Sequence, residues 1–420
     1  MPAKTLDAWL SWMEELHPKK WDLGLERVKA VATRLDLLSR DGTLFLVAGT
    51  NGKGSAVALI EAIARNSGFR TGTATSPHIV RFNERIAVND EAVADEVICD
   101  SLQRIDQARG DISLTYFEFG TLAALDIFKQ LALDVVVLEV GLGGRLDAMN
   151  IVEPDVSVVT TIDLDHQDWL GEDREQIGRE KAGIFRRSRP AVVGDLNVPQ
   201  SVETVAATVG ARLVVRDKQF GCRRSEDSWD FWGLDTNSGK VMLNDLPYPH
   251  LHLDNAIVAI QAWVQSRLPL NADSVRASLA GTRLPGRYQL IEGDIPVILD
   301  VAHNPQAVAY LTERLASCPI EGSTHAVVAM YADKDCAAIL STLDKVVDYW
   351  YLAGMAEARG ESADGLKARL SVGDRSGIKT YDRVGTAYRD VMMNASKGDR
   401  VVVSGSFVAV AEALEAMGAT

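Results

Sequence analysis

The run Gly49-Thr50-Asn51-Gly52-Lys53-Gly54-Ser55 brings together groups that act on phosphate: glycines that let backbone N–H groups approach an oxyanion, a lysine and a hydroxyl. It follows the apolar run Leu44–Ala48 and leads into Ala56-Val57-Ala58-Leu59-Ile60. Strand, glycine turn and helix in that order aim a helix N-terminus at the same ligand. Asn51, Gly52, Lys53, Gly54 and Ser55 are therefore nucleotide-site candidates, with Lys53 neutralising the β- and γ-phosphates and Ser55 reaching Mg²⁺. The strict G-x-x-x-x-G-K-[ST] spacing is not met, because Val47 stands at its first position and Gly54 separates Lys53 from Ser55. A glycine turn without a ligand is the plain alternative.

Glu139 ends an otherwise apolar run, Val135–Val140, just ahead of Gly141, Gly143 and Gly144. A charge there is costly unless it is paired or metal-bound, and strand carboxyl ends face the ligand crevice of open α/β sheets. Glu139 is thus a Mg²⁺-ligand candidate, with pairing to Arg145 as the alternative. The next apolar run ends Asp163-Leu164-Asp165-His166. Since Mg²⁺ prefers oxygen, spacing alone makes His166 a catalytic or structural histidine sooner than a ligand. Lys181, in Ile177–Phe185, reads by itself as a solvated helix lysine.

These groups need a scaffold. Short β-branched runs, Leu44–Ala48, Val135–Val140, Val156–Thr161 and Ala191–Gly194, alternate with helical patterns such as Ser55–Asn66, which predicts a parallel α/β sheet. A second set, Val297–Val301, Ala326–Met330, Trp350–Ala353 and Val401–Ser404, follows the turn-rich Arg283-Leu284-Pro285-Gly286 stretch. The fold expected is an N-terminal P-loop ATP-binding domain over residues 1–284 and a smaller Rossmann-like α/β domain over residues 285–420. Gln219–Pro249, with Phe231, Trp232, Val241, Met242 and Leu243 among turn residues, predicts a small antiparallel excursion. Met1–Leu16 reads as an amphipathic helix and not as a secretory signal.

Taken together, G-T-N-G-K-G-S, L-E-V-G-L-G-G-R-L-D-A-M-N (139–150 with Leu138) and D-V-A-H-N-P (300–305) resemble the motifs of the Mur ligase superfamily, the loop resembling its folate branch; Met149 replaces the usual Thr. The resemblance implies an acid–amino-acid ligase that consumes ATP with two Mg²⁺ ions. It implies that Glu139 and His166 share the second ion, that Ser76 adds a hydroxyl near the first, and that Lys181 is N-carbamylated. For Ser76, in Thr75-Ser76-Pro77-His78, an S-P turn is the other reading. Asn255 would meet adenine, with Asp254 or Asn255 as a helix cap the alternative. Arg287 would reach the ATP phosphates and Asp300 the ribose or neighbouring nucleotide atoms, against a surface ion pair and a helix cap; His303 follows Asp300 in the same motif. Asp22-Leu23-Gly24-Leu25-Glu26-Arg27 and Thr115-Tyr116-Phe117-Glu118-Phe119-Gly120-Thr121-Leu122 are similar to the pteroate-binding segments of that branch, with Leu146, Asp147 and Ala148 added to the folate set. Read alone, the second segment is a helix start with core phenylalanines. Arg81 and Arg85 offer positive charge to an anionic substrate.

Composition narrows the classes. A net charge of −14 argues against nucleic-acid or anionic-membrane binding, and the scattered Cys99, Cys222, Cys318 and Cys336 fit reduced thiols. Together with what the resemblance implies, the expectation is a cytoplasmic monomer acting on ATP, L-glutamate, dihydropteroate and reduced folates. Alternatives are a polyglutamylation-only ligase, another Mur-type ligase, or a nucleotide switch. The peptidoglycan ligases carry a domain of roughly 100 residues ahead of the loop, for which the segment before Gly49 is too short, and a guanine-reading N-K-x-D is absent.

Overall fold

The structure is a computed structural model that describes residues 5–17, 22–39, 41–357, 359–370 and 377–418. It divides into two compact units, Met1–Thr282 and Arg283–Thr420. The expected N-terminal helix forms over Leu6–Leu16 and is capped by Thr5, whose side chain accepts the Ala8 N–H; residues 1–4 lie outside the described residues.

In the first unit, eight strands form one sheet: β1 (Thr43–Ala48), β2 (Thr71–Ala74), β3 (Ile86–Val88), β4 (Glu91–Ala92), β5 (Val135–Glu139), β6 (Val156–Val159), β7 (Pro190–Val193) and β8 (Arg212–Val215). Their order is β4-β3-β2-β5-β1-β6-β7-β8, and only β3 runs against the others, antiparallel to both β2 and β4. The long apolar runs became the central strands because such strands are covered on both faces. On one face Leu44, Leu46 and Ala48 join a core shared with Trp9, Met13, Val28, Phe119 and Leu122. On the other, Phe45 stacks on Trp263 with ring centroids 6.3 Å apart.

Strand β1 lies between β5 and β6, with Val47 opposite Glu139 and Ala48 opposite Val159. The segments that follow these strands therefore emerge side by side at one sheet end, where the order reverses. This is the position at which open α/β sheets bind ligands.

The excursion also forms, as the antiparallel sheet β11-β10-β9 from β9 (Gly221–Arg224), β10 (Trp229–Leu234) and β11 (Lys240–Leu246). Trp229 and Phe231 point inward in β10, and the hairpin turn is closed by Asp235 Oδ1, which accepts the N–H groups of Asn237 and Gly239 at 2.8 and 2.7 Å. Gln261 and Gln265 each donate to the Leu234 carbonyl at 2.8 Å and tie it to helix Leu253–Gln265.

The second unit has a six-stranded sheet of β12 (Gln289–Ile291), β13 (Val297–Leu299), β14 (Thr324–Val328), β15 (Tyr349–Ala353), β16 (Ile378–Tyr381) and β17 (Arg400–Ser404). Its order is β12-β13-β17-β14-β15-β16, and only β12 runs antiparallel to its neighbour. Both units are thus mixed α/β with parallel-rich sheets, as the sequence pattern predicts. Among the described residues no helix is long and apolar enough to cross a membrane, and the cysteines are free thiols.

Candidate active site

The glycine loop leaves β1 and is braced by the residues that leave β6. Thr50 N–H donates to the Thr161 carbonyl (2.8 Å), Asn51 N–H to Thr161 Oγ1 (3.0 Å), and Thr160 Oγ1 to the Asn51 carbonyl (2.6 Å). Thr50 Oγ1 and Asp163 exchange two further bonds at 3.0 and 3.1 Å. Lys53 and Ser55 then open helix Lys53–Asn66, Lys53 Nζ folding back to the Gly49 carbonyl at 3.1 Å. Ser55 is buried.

Gly52 adopts φ +80°, and a Cβ there would lie 2.2 Å from Asn255 Oδ1. Asn255 is therefore packed on the loop, buried in the first turn of helix Leu253–Gln265. The cap of that helix is His252, whose ring accepts the Asp254 N–H, so neither Asp254 nor Asn255 serves as cap. Asp254 instead pairs with Arg216 at 2.8 Å. Gly52→Ala should destabilise the first unit by about 1–3 kcal/mol through left-handed strain and this overlap, which urea denaturation checks.

Glu139 ends β5 with 5% exposure, and its Oε2 accepts the Ser76 N–H at 3.0 Å. Arg145, the alternative partner weighed for it, pairs with Glu180 at 2.8 Å. Among the described residues no group of three or more His, Cys, Asp or Glu forms a metal cage. One buried carboxylate beside hydroxyls suits an ion that takes the rest of its shell from phosphate and water, the usual way Mg²⁺ is held at phosphate sites. His166 sits at φ +51° before the short helix Gln167–Leu170, its side chain 41% exposed and its Nε2 3.9 Å from Asp165 Oδ2.

Lys181 is not solvated. It is 2% exposed in helix Arg174–Ala182; burial, then the charge of Lys53, pushes its ammonium down to about 7 against the pull of Asp165. Asp147 is as deeply buried, which raises its carboxyl to about 7. Its oxygens accept the Leu142 and Met149 N–H groups at 2.8 and 2.9 Å and hold the 141–149 loop closed. Ala148 is buried beside it and Leu146 is half-buried.

The two N-terminal segments with folate-like patterns meet. Arg27 donates to Asp22 Oδ2 (2.5 Å), to the Asp22 carbonyl (2.7 Å) and to Glu118 Oε1 (3.2 Å). Leu23 and Gly24, which link them, are half-buried. Glu118 also completes a capping box with Thr115 at the start of helix Tyr116–Leu131. Phe119, Thr121 and Leu122 are fully buried and pack the core, while Tyr116, Phe117 and Gly120 are half-buried. Phe117 lies against Gly141, where a Cβ would come 2.6 Å from its ring. The helix thereby touches the loop that begins two residues after Glu139.

Arg81 points outward, 67% exposed and paired with Asp95 at 3.0 Å. Arg85 is drawn inward, stacked near Phe82 and Tyr116, with its Nε donating to His78 Nδ1 at 2.8 Å. Burial and the adjacent Arg85 hold His78 down at about 4.

In the second unit, Arg287 lies over the Phe407 ring, 5.0 Å from its centroid. Asp300 accepts the Tyr288 and Ala302 N–H groups, both at 2.8 Å; burial raises its carboxyl, opposed first by Arg287. The cap of the following helix, Pro305–Ser317, is Asn304, so Asp300 is not that cap. His303 donates from Nδ1 to the Val301 carbonyl at 2.8 Å.

Thr160, Thr161, Asp163 and His78 belong to this arrangement although their sequence pattern assigns them no role in it, and Arg27, which in sequence only ends the Asp22 segment, is the residue that joins that segment to Glu118. Only the position of the threonines after a strand signals them; the Arg27 tie crosses 91 residues and leaves no local pattern.

Residues 47–212 match the family described as Mur ligase middle domain, and residues 286–407 the one described as Mur ligase, glutamate ligase domain. Dihydrofolate synthase/folylpolyglutamate synthase of Escherichia coli (strain K12) is 45% identical over 417 residues, 99% of this chain and 96% of that one. The solved structure of E. coli FolC in complex with DHPP and ADP aligns with a TM-score of 0.94 at 45% identity, over 99% of this chain and 98% of that chain. A bifunctional folylpolyglutamate synthase/dihydrofolate synthase with Mn, AMPPNP and L-glutamate bound gives 0.92 at 46% identity, with the same coverage. With identity of this order sustained along nearly the full length of each partner, the chain belongs to the dihydrofolate synthase/folylpolyglutamate synthase family of Mur ligases.

Proposed function

We infer that this chain uses ATP to ligate L-glutamate to dihydropteroate and to reduced folates through an acyl phosphate. The observation that carries the reading is the joining of two sites in one crevice. Arg27 ties the Asp22 segment to Glu118, and Phe117 of the same helix packs on Gly141, beside Glu139 and the glycine loop. The relatives with DHPP, ADP, AMPPNP, Mn and L-glutamate support it.

Asn51, Gly52, Lys53, Gly54 and Ser55 are assigned to the triphosphate, Asn255 to the adenine, and Arg287 and Asp300 to the nucleotide. The acceptor carboxylate attacks the γ-phosphorus, ADP leaves, and the glutamate amine then displaces phosphate from the acyl phosphate. Lys53 and Arg287 offset the negative charge that builds when carboxylate meets triphosphate. Two Mg²⁺ ions, for which Ser55, Ser76, Glu139 and His166 are the proposed ligands, would supply further charge neutralisation and polarise the phosphate.

Lys181 is proposed to carry a carbamate. Its buried amine is half neutral near pH 7, so its lone pair can add to CO₂ with loss of a proton, and the resulting anion suits the neighbourhood of Lys53 and the metal. Asp22, Leu23 and Gly24, the Thr115–Leu122 segment, and Leu146, Asp147 and Ala148 are assigned to the folate side, Tyr116 and Phe117 offering ring faces and Phe119, Thr121 and Leu122 support. A cytoplasmic monomer acting on small molecules is proposed, and the chain's acidity argues against a nucleic-acid partner.

Phosphate release from ATP with dihydropteroate or tetrahydrofolate, each with and without glutamate, tests the reading. Release with both acceptors, and only with glutamate, is expected; turnover of tetrahydrofolate alone would leave a polyglutamylation-only ligase. Phe117→Ala should lower kcat/KM for dihydropteroate about tenfold more than for tetrahydrofolate, and Asp22→Ala should act in the same direction. Equal losses for the two acceptors would remove these residues from pterin recognition.

A further inference from the structure

Arg85 closes the short turn Phe82–Arg85, and its carbonyl accepts the Thr75 N–H at 2.9 Å. The next residue along, Ser76, donates its N–H to Glu139 at 3.0 Å. The backbone that carries the guanidinium is thus fixed relative to the strand-end carboxylate, and Glu139 is among the charges that favour its protonated form. The turn is stiff as well, because Glu84 takes the N–H groups of Ile79, Val80 and Arg81 at 2.7, 2.8 and 2.6 Å.

Two rings and one histidine surround the side chain. Arg85 Cζ lies 5.6 Å from the Phe82 ring centroid and 5.5 Å from that of Tyr116, and the two rings meet edge-on at 5.7 Å. Nε donates to His78 Nδ1 at 2.8 Å, whereas Nη1 and Nη2 have no hydrogen-bond partner among the described residues. Arg85 is half-buried, so these two groups keep an open side on which a ligand can replace water. A planar pair of them on a guanidinium matches the two oxygens of a carboxylate.

We propose that Arg85 seats the acceptor's reacting carboxylate, the group that becomes the acyl phosphate, and that His78 is a positioning residue that acts through Arg85 by holding Nε and leaving Nη1 and Nη2 to the substrate. The proposal rests on the ligase reading above. It assigns the inward-facing Arg85 a task that the outward-facing Arg81, engaged with Asp95, does not share.

The test is steady-state phosphate release with variants of the full chain. Arg85→Ala is expected to lower kcat/KM for either acceptor about a hundredfold, the scale of truncating one partner of a buried charge pair, with KM for ATP and for glutamate unchanged. Arg85→Lys keeps the charge without the fork and should recover only part of this; it also serves if the alanine variant fails to show a cooperative melt. His78→Leu should lower acceptor kcat/KM about tenfold, mainly through KM, while His78→Gln, whose carbonyl can accept from Nε, restores it. In the Arg85→Ala background His78→Leu should have no further effect. Acceptor kcat/KM near the unaltered value in the Arg85 variants, or a His78→Leu loss that persists without Arg85, overturns the proposal. Glutamate-dependent release by the unaltered enzyme would leave the ligase reading standing in that case, and its absence would sink both.

Discussion

Lys53→Ala is expected to abolish ligation with both acceptors, reducing kcat by about 10²–10³-fold or more, the scale of removing one preorganised charge from a water-excluded transition state. The fold should survive. Lys53 is half-buried at the first position of its helix, and its ammonium donates to the Gly49 carbonyl of the preceding loop and to no core side chain among the described residues. A change in unfolding free energy within about 1 kcal/mol is expected for such a site. Because Lys53 also helps to depress Lys181, the variant should titrate Lys181 at higher pH, which gives a readout independent of turnover. Near-normal kcat with an intact circular dichroism spectrum would take Lys53 out of the mechanism. Glu139→Ala and Arg287→Ala should be inactive by the same charge argument.

The second large effect concerns Lys181 and has opposite signs for activity and stability. Lys181→Met should lower kcat about a hundredfold or more, since a thioether cannot carry the proposed carbamate. In bicarbonate-free buffer the same change should raise stability. The folded-state value of Lys181, about 7, lies below that of an unfolded lysine, about 10.4. Between those two pH values the unfolded chain binds more protons, so the stability of the unaltered protein rises with pH across this window. Below pH 7 the buried ammonium imposes its full penalty. The gain from methionine should therefore be largest there, on the order of a few kcal/mol, and vanish above about pH 10.4. Denaturant titrations at pH 6 and pH 10 measure the difference. In an active, nucleotide-bound enzyme, a carbon-13 carbamate resonance from labelled bicarbonate is expected, and an unmodified ammonium there would overturn the modification.

Where the sequence was readable, physics of short range had written it. The apolar runs behind β1, β5, β6, β7, β13, β14, β15 and β17 are dense in Val, Leu and Ile because central parallel strands are buried on both faces. Strand β2, over Thr71–Ala74, is Thr-Gly-Thr-Ala and carries no apolar run, and β8, over Arg212–Val215, is an edge strand whose first two residues are only half-buried; β3, β4, β12 and β16 are likewise edge or near-edge strands with polar residues mixed in. The chemistry divides similarly. Loop, carboxylate and lysine stand out as types in a pattern, but whether a helix lysine is buried depends on what packs over it. Nothing local to Lys181 announces its burial, and the ordinary reading of a solvated lysine failed there. Helix caps follow backbone geometry, which is why His252 and Asn304 hold positions that residue type alone offered to others.

The bracing of the glycine loop bears on how the protein is made. Strand β1 finds its two neighbours near residues 135–139 and 156–159, and the bonds that shape the loop come from Thr160, Thr161 and Asp163. Synthesis at roughly 5–20 residues per second leaves the loop without those partners for about 5–22 s after it is translated. Contacts this distant in sequence also close slowly. During that interval Gly49–Ser55 lacks the bonds that shape it, and a nascent chain stopped at Asp155 would contain every residue of the loop and the β5 neighbour of β1, but none of the braces from Thr160, Thr161 and Asp163. Nucleotide is therefore a ligand only for the completed sheet, and it should protect the chain from proteolysis only once residue 163 has joined it.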